Sequence, residues 1–401
     1  MNNPTTENNY RALYGKLFSS LTRQFGIHRF SEIEDAIQNS FLKSLKNWKP
    51  DSAPKNKENW LYITARNDLL NQLKRNNKTI DIVGTCQITN HSESKTTDLR
   101  LETIFLVASS NSISQQAKII FILKNIFGLN VREISESTLL GNQAIYKMVK
   151  RAKNSLQNEY KSRQISGIIK TIGSEVIYTV EQILYAVFNS GFDSFNENQK
   201  SILNEDLCLE SFAIAKVLLN EYNYQSTSNL LSLFCFHIAR IEAKIRDGSL
   251  ISFFNQDREK WNSEMINLGF HYLKKPDNVS KFYIETLIVS KYMTTLSFTI
   301  DFWNDIVKLY EILLQISPSP IIGINYSFCL YKAERKEEAF KLLEKLESEL
   351  TSDHVYFSLM KASFLSKENP KESEKIATNI ISRMNQDIRK MYVLETKFIN
   401  L

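Results

Sequence analysis

Amide, aromatic and basic side chains recur at helical spacing in the stretch NQAIYKMVKR, which begins at position 142. They are Asn142, Gln143, Tyr146, Lys147, Lys150 and Arg151. Amide groups can bind the edges of DNA bases, and cationic groups can bind phosphates. The stretch therefore predicts a helix that presents a DNA-binding face. An amphipathic helix with a solvated basic face is the alternative.

The residues around this stretch predict a helix-turn-helix. A short helix is expected over 131–137, with Ile134 facing inward, and the letters TLLG form the turn. Asn142 is a favourable N-cap for the second helix. The second helix would bury one apolar face, made of Ile145, Met148, Val149 and Ala152. The preceding run SQQAKIIFILKNIFG supplies the usual packing partner for such a pair of helices.

A second basic helix is expected in NWLYITARNDLLNQLKR, at positions 59–75. Its apolar residues should pack inward: Trp60, Leu61, Ile63 and Leu70. The polar residues on its broad outer side are Tyr62, Arg66, Asn67, Asn71, Lys74 and Arg75. An aromatic ring with amides and cations suits single-stranded bases and their backbone. The basic loop before this helix contains Lys55 and Asn56. A solvated basic helix is again the alternative.

One helix carries a different surface. In SEIEDAIQNSFLKSLKNW, the residues Ile33, Ile37 and Phe41 recur every fourth position, with Ala36 and Leu45 beside them. We expect that face to be buried. Its acidic and amide residues lie off the face: Glu34, Asp35, Gln38 and Asn39. Such a surface does not suit phosphates, so it indicates a partner other than nucleic acid.

Charge is distributed unevenly along the 401 residues. Residues 1–165 contain 24 Lys and Arg against 14 Asp and Glu, whereas residues 166–401 contain 26 against 30. The front half is therefore basic, at +10, and the back half mildly acidic, at −4. This asymmetry indicates a nucleic-acid partner for the front half and permits an intramolecular contact between the halves.

The scarcity of Gly (11) and Pro (7) favours an all-α protein. We expect a helical domain at 8–78, a flexible linker at 79–111, a helix-turn-helix domain at 112–162 and a long helical domain at 170–401. An apolar pattern recurs every 33 or 34 residues in the last domain, which is the tetratricopeptide-repeat length. It runs through Ile306, Leu309, Tyr310 and Leu313, then Ala339, Leu342, Leu343 and Leu346, then Ser373, Ile376, Ala377 and Ile380. Stacked hairpins are the prediction, and an ordinary helical bundle is the alternative.

Several classes of protein fit the sequence poorly. It contains no Gly-rich phosphate loop, no His-carboxylate cluster and no nucleophile triad, so we expect neither catalysis nor a cofactor. The five histidines are scattered and are expected to be structural: His28, His91, His237, His271 and His354. The cysteines lack metal spacing and are expected to be buried thiols: Cys86, Cys208, Cys235 and Cys329. No apolar run is long enough to span a membrane, so a cytoplasmic protein is expected.

The sequence resembles a known family over essentially its whole length. EDAIQNSFLKSLKNW, NWLYITARNDLLNQLKR and REISESTLLGNQAIYKMVKRAK resemble, in order and spacing, regions two and four of ECF-type RNA polymerase sigma factors. The back half is similar to a subgroup with a tetratricopeptide-like extension, through blocks such as YTVEQILYAVFNSGF and LISFFNQDREKWNSEMI.

The resemblance implies core RNA polymerase and promoter DNA as partners. Region two would contact the polymerase clamp helices through Glu34, Asp35, Gln38 and Asn39. It would hold the melted minus-ten element through Lys55, Asn56, Tyr62, Arg66, Asn67, Asn71, Lys74 and Arg75. Region four would read the minus-thirty-five element through Asn142, Gln143, Tyr146, Lys147, Lys150 and Arg151. A signature of the extension would include Asp257, Arg258 and Trp261, where an Asp257–Arg258 ion pair is the simpler interpretation.

This chain departs from the family at some positions. Asn39 replaces a usual Glu, and Asp68 stands where a basic residue is common. Two alternatives to a sigma factor stay open: a helical-repeat scaffold that binds a protein, and a dimeric helix-turn-helix repressor that acts without polymerase. The acidic and amide helix argues against both.

Overall fold

The structure, a computed structural model, describes residues 4–48, 53–75, 99–138, 140–161, 172–195, 202–350, 355–384 and 386–396. Over these residues the chain is predominantly α-helical, as expected. Positions 79–98 of the expected linker, together with Cys86 and His91, lie outside the described residues. Among the described helices, none combines the length and the apolar content that a membrane crossing requires.

The chain divides into two compact units. Unit 1 comprises residues 1–134 and 142–187, and unit 2 comprises residues 135–141 and 188–401. Eight α-helices begin among the described residues of unit 1: α1 (Pro4–Phe25), α2 (Phe30–Asn47), α3 (Lys57–Arg75), α4 (Leu99–Ala108), α5 (Gln115–Asn125), α6 (Val131–Thr138), α7 (Asn142–Tyr160) and α8 (Ser174–Phe192).

Part of the expected linker is a buried helix. The prediction of a flexible segment at 79–111 is wrong for α4, which packs against α1 and α5. All of its residues except Leu99 and Glu102 are buried. The Tyr160 hydroxyl of α7 donates a hydrogen bond to the Leu106 carbonyl at 2.7 Å. A helix buried on every side has no amphipathic period, and the prediction from sequence relied on that period.

Unit 2 is a succession of helices, most of which pack against the next. Its helices are α9 (Glu205–Tyr222), α10 (Gln225–Ile238), α11 (Ile241–Lys244), α12 (Ser263–Tyr272), α13 (Lys281–Thr294), α14 (Ile300–Ile316), α15 (Pro320–Lys332), α16 (Lys336–Glu349), α17 (Val355–Glu368), α18 (Pro370–Arg383) and α19 (Asp387–Thr396). Five of them begin after a side chain that caps a backbone N–H: Asn204, Asn262, Ser280, Thr299 and Asn369.

One hairpin interrupts the helices of unit 2. Strand β1 (Ile245–Arg246) pairs in antiparallel fashion with β2 (Ser249–Leu250). The two residues between them, Asp247 and Gly248, have φ of 52° and 78°. Positive φ at both positions is the geometry of the tight turn that Asp-Gly favours.

The 34-residue pattern falls on alternate helices. Its three copies lie on α14, α16 and α18. Equivalent positions are buried in each copy: Ile306 and Leu313, Ala339 and Leu346, Ser373 and Ile380. The apolar period therefore marks the inward face of every second helix.

Candidate nucleic-acid and polymerase interface

Helix α2 has an exposed seam along its outer side. Asp35, Gln38, Leu42 and Leu45 are all exposed, the two leucines by 55% and 76%. Their spacing of three, four and three residues is the spacing of a coiled-coil seam. The expectation that Leu45 is buried is wrong, because the buried face of α2 runs instead through Phe30, Ile33, Ile37 and Ser44. Phe41 is half-buried and its ring centroid lies 4.2 Å from that of Tyr10.

Two other residues of the predicted polymerase contact have partners inside the protein. Glu34 forms an ion pair with Lys153 of α7, at 2.5 Å. Asn39 is half-buried, and its Nδ2 donates to Asp68 Oδ2 at 2.9 Å. Asp35 and Gln38 are therefore the two predicted contacts that the structure leaves exposed, and the role of all four stays a prediction.

The Asn39–Asp68 bond joins two positions at which the sequence differs from the family that it resembles. The Asp68 carboxylate also accepts from Gln72 at 2.8 Å and lies 3.5 Å from Lys43 Nζ. Partial burial alone would raise the pKa of Asp68, but the hydrogen bonds from Asn39 and Gln72 and the charge of Lys43 outweigh it. The pKa of Asp68 therefore lies below its ordinary value. A glutamate at position 39 would repel this carboxylate, so the two departures compensate each other.

A variant pair tests this compensation. Asn39→Glu should lower the free energy of unfolding of unit 1 by about 1 kcal/mol, because it places a second carboxylate beside Asp68. Asn39→Glu combined with Asp68→Arg should recover most of that loss by restoring an opposite-charge pair. Urea unfolding of both variants measures the effect. Equal losses in the single and double variants would mean that the two side chains do not interact.

Helix α3 buries a different face from the one expected. Leu61, Ala65, Leu69 and Leu73 are buried at every fourth position. Ile63, which we expected to pack inward, is 45% exposed, and Trp60 and Leu70 are half-buried. The prediction from sequence assigned the larger apolar residues to the buried face and omitted Ala65. The four-residue spacing of the buried residues was nevertheless present in the sequence.

The predicted minus-ten residues follow the outer side of α3. Asn67, Asn71, Lys74 and Arg75 are exposed, and Arg66 is half-buried. Tyr62 has a partner inside the protein, since its hydroxyl donates a hydrogen bond to Gln24 Oε1 at 3.0 Å. Lys55 is exposed, and Asn56 caps the start of α3 by accepting from the Asn59 N–H at 2.9 Å. Four exposed amides and cations thus lie along one helix.

A tryptophan pair beside the Lys55–Asn56 loop was not predicted from the sequence. The rings of Trp48, at the end of α2, and Trp60, in the first turn of α3, meet edge to face with centroids 5.3 Å apart. Lys57 Nζ lies 5.9 Å from the Trp48 ring centroid. Both rings are half-buried, so the pair fixes the entrance of α3. The sequence feature that could have predicted this pair is the presence of one tryptophan on each side of the loop.

Helix α7 contains all six predicted minus-thirty-five residues. α7 begins at Asn142 as expected, and α6 extends to Thr138. The residues predicted to contact DNA are all exposed: Asn142, Gln143, Tyr146, Lys147, Lys150 and Arg151. The inward face contains Ile145 and Ala152, which are buried, whereas Met148 and Val149 are half-exposed. The exposed face has amides at the helix start and cations further along.

The residues predicted as a signature of the extension build a turn in unit 2. The Asp257 side chain accepts from the Glu259 N–H at 3.0 Å and so caps a short 3₁₀ helix at Arg258–Lys260. The Arg258 guanidinium lies 4.9 Å from the Trp261 ring centroid, and Trp261 is 7% exposed. Asp257 and Arg258 are therefore held by a cap and by an aromatic ring, which differs from the ion pair that the sequence suggested.

A partly buried charged cluster around Arg389 in unit 2 was not anticipated. Arg389 Nη2 lies 2.7 Å from Asp193 Oδ1, and Arg389 Nη1 donates to the Tyr356 hydroxyl at 2.6 Å. Tyr356 in turn donates to Asp193 Oδ2. The Arg389 side chain is 6% exposed. Asp193 and Arg389 are 196 residues apart, so no local pattern in the sequence could reveal the pair.

Burial shifts the pKa values of three cysteines and one histidine of unit 2 away from the range in which they would be reactive. Burial raises the pKa of Cys208, Cys235 and Cys329 to about 12. Burial, with the charges of Arg240 and Lys244, holds the pKa of His237 well below its ordinary value. Within the described residues, no group of three or more His, Cys, Asp or Glu side chains could hold a metal ion.

Comparisons with known proteins found similarity over different lengths of the chain. A family of unknown function (DUF6596) matches residues 177–276, a span that includes Asp257, Arg258 and Trp261. An uncharacterized protein of Rhizobium meliloti (strain 1021) is 23% identical over 342 residues, which is 81% of this chain and 80% of that protein. No solved structure matches the chain.

Proposed function

We propose that this chain is a sigma factor, which binds core RNA polymerase and directs promoter-specific initiation. The exposed seam of α2 is the observation that carries the proposal. Asp35, Gln38, Leu42 and Leu45 offer polar and apolar groups at coiled-coil spacing on a helix whose other side is buried. Leu42 and Leu45 lie one helical turn apart and form a small exposed apolar patch, which a partner helix could cover. The clamp helices, a basic coiled coil, suit this seam in shape and charge.

The two DNA readers support the same proposal. α7 offers amides and cations on one exposed face, as a recognition helix does in the major groove. α3 offers exposed amides and cations on its outer side, which suits the single strand of a melted minus-ten element. In unit 2, alternate helices with equivalent buried positions support tetratricopeptide-like stacking. We propose that unit 2 assists assembly with polymerase.

The test combines binding and transcription. The purified chain should co-purify with core polymerase and should direct initiation from a subset of promoters in a genomic library transcribed in vitro. Binding to palindromic duplex DNA without polymerase would identify a repressor instead. Capture of other proteins without any effect on transcription would favour a helical-repeat scaffold.

Single substitutions on α7 separate phosphate contacts from base reading. Lys150→Ala should weaken binding to all promoters alike. It should also reduce by about one unit the salt slope, which is the slope of the logarithm of the binding constant against the logarithm of the salt concentration. Gln143→Ala should instead relax base preference, at roughly 1–3 kcal/mol for a good base contact. Binding to promoter variants over a range of salt concentrations measures both effects.

Lys161→Ala is the matched control for the Lys150 variant. It removes one exposed cation just beyond the end of α7, about 16 Å along the helix axis from position 150. Its salt slope should equal that of the parent chain. Identical, uniform losses in the Lys150 and Gln143 variants would exclude base reading by α7.

A further inference from the structure

Three cationic side chains of unit 2 are buried around the end of α8. They belong to Arg240, Lys244 and Arg389, which are 7%, 9% and 5% exposed. Lys244 Nζ donates to the Phe192 carbonyl and lies 3.9 Å from the centroid of the Phe192 ring. The Arg240 guanidinium lies 5.5 Å from the centroid of the same ring. Arg389 Nη2 donates to the Ser194 carbonyl at 3.1 Å. All three cations therefore contact the same short segment, where the helix ends.

The positive charge of this cluster is only partly balanced. Among the described residues, Arg389 is the one member with an ion-pair partner, since its Nη2 lies 2.7 Å from Asp193 Oδ1. Arg240 Nη2 lies 3.0 Å from His237 Nδ1, and Arg240 Nε is buried without a hydrogen-bond partner. Lys244 has a carbonyl as its partner and no carboxylate. Three positive charges thus face one negative charge, which leaves an excess of two.

The pKa values of the three cations agree with this imbalance. Burial alone would lower the pKa of Arg389, but the charge of Asp193 outweighs burial and raises that pKa. Burial lowers the pKa of Arg240 to about 10. Burial also lowers the pKa of Lys244 to about 8, and the charges of Arg240 and Arg389 act in the same direction, against that of Asp193. An anion bound beside Arg240 and Lys244 would therefore stabilise their charged forms.

Aromatic rings cover these two cations without neutralising them. The Arg240 guanidinium lies 4.7 Å from the centroid of the Phe253 ring, in addition to its contact with Phe192. A ring face attracts a cation but supplies no net negative charge. Phe192, Phe253, Asp193 and His237 are each partly exposed, so the cluster borders the surface. A small anion can approach the buried cations there.

We propose that Arg240 and Lys244 form a binding site for a phosphoryl dianion, which is either inorganic phosphate or a phosphate monoester. Guanidinium and ammonium groups bind phosphoryl oxygens through charge-assisted hydrogen bonds, and a dianion would balance the excess of two positive charges. Capping of the Phe192 carbonyl accounts for Lys244 alone and leaves Arg240 without a counter-ion. The inference is independent of the proposed function, since every residue of the cluster belongs to unit 2.

Hydrogen exchange in the full chain tests the site. The backbone amides of residues 240–246 are compared in chloride, acetate, inorganic phosphate and glycerol phosphate at equal ionic strength. At about ten times its dissociation constant, the bound phosphoryl compound should slow exchange by unfolding of this segment about 10-fold, because it binds only the folded form. The compound that protects at the lower concentration identifies the source of the phosphoryl group. Equal protection in acetate and phosphate, or no protection by either phosphoryl compound, would overturn the proposal.

A pair of variants locates the site. Lys244→Met removes the charge but keeps most of the side-chain length, and it should raise the dissociation constant for the phosphoryl compound at least about 10-fold. Arg246→Met is the matched control, because it removes an exposed cation two residues further along, in β1, and should bind like the parent chain. Equal affinity in the Lys244 variant and the parent chain would refute the site. If circular dichroism shows that the Lys244 variant does not fold, the comparison of anions in the parent chain decides.

Discussion

Replacing Arg389 by Ala should lower the free energy of unfolding of unit 2 by about 2–3 kcal/mol, since Arg389 is buried and Asp193 is 31% exposed. The substitution removes the guanidinium that lies 2.7 Å from Asp193 and 2.6 Å from the Tyr356 hydroxyl. It also removes hydrogen bonds to Gln386 Oε1 and to the Ser194 carbonyl, at 2.5 and 3.1 Å. The partly buried Asp193 carboxylate then loses its closest counter-charge, which costs more than the loss of an exposed pair.

A matched pair on the surface provides the control. Lys361 Nζ lies 2.7 Å from Glu347 Oε1, the same distance as in the Arg389–Asp193 pair, but its side chain is 35% exposed and that of Glu347 is 52% exposed. Lys361→Ala should cost less than about 1 kcal/mol. Hydrogen exchange within unit 2 compares the two variants. Similar losses would mean that burial does not strengthen the Arg389 cluster.

The same cluster should give unit 2 a dependence on pH. Burial alone would raise the pKa of Asp193, but the charges of Arg389 and Lys244 outweigh it and lower that pKa. A carboxyl with a folded pKa below its unfolded value stabilises the fold above the unfolded pKa, near 4, and loses that contribution as the pH falls through the folded pKa. The stability of the parent chain should therefore decline below about pH 4, and Asp193→Asn should flatten that decline.

The amphipathic helices could be predicted from the sequence because one face of each is buried. The four-residue spacing of Ile33 and Ile37 in α2 is a local feature, and the structure places both α2 and α7 where they were expected. Asn142, which was expected to be the N-cap of α7, is its first residue. The 34-residue pattern likewise marked the buried positions of α14, α16 and α18, since each copy presents the same face inward.

What the sequence could not predict depends on contacts between distant residues. Helix α4 is buried on nearly every side, so its apolar residues follow no helical period. Leu45 belongs to an apolar pattern but lies outside the buried face of α2, which includes its neighbour Ser44, and is exposed by 76%. The hydrogen bond between Asn39 and Asp68 links two helices, and each residue alone resembled an isolated departure from the family.

Asp35→Arg combined with Leu45→Ser should reduce affinity for core polymerase by at least about 100-fold. The arginine repels a basic coiled coil, and like charges placed together at an interface cost several kcal/mol. The serine removes the more exposed of the two seam leucines. Both positions are exposed, so the free energy of unfolding should change by less than about 0.5 kcal/mol per substitution. Co-purification with core polymerase and circular dichroism measure the two effects.

The control for this variant adds positive charge elsewhere on the same helix. Asn47 is exposed in the last turn of α2 and lies about 200° around the helix from Leu45, away from the seam. Asn47→Arg should therefore bind polymerase like the parent chain. If the seam variant and Asn47→Arg both retain full affinity for polymerase, the polymerase-binding assignment of α2 is wrong. The exposed leucines of this helix then have another partner. If both variants lose affinity equally, the effect is one of net charge, and the coiled-coil spacing of the seam plays no part in binding.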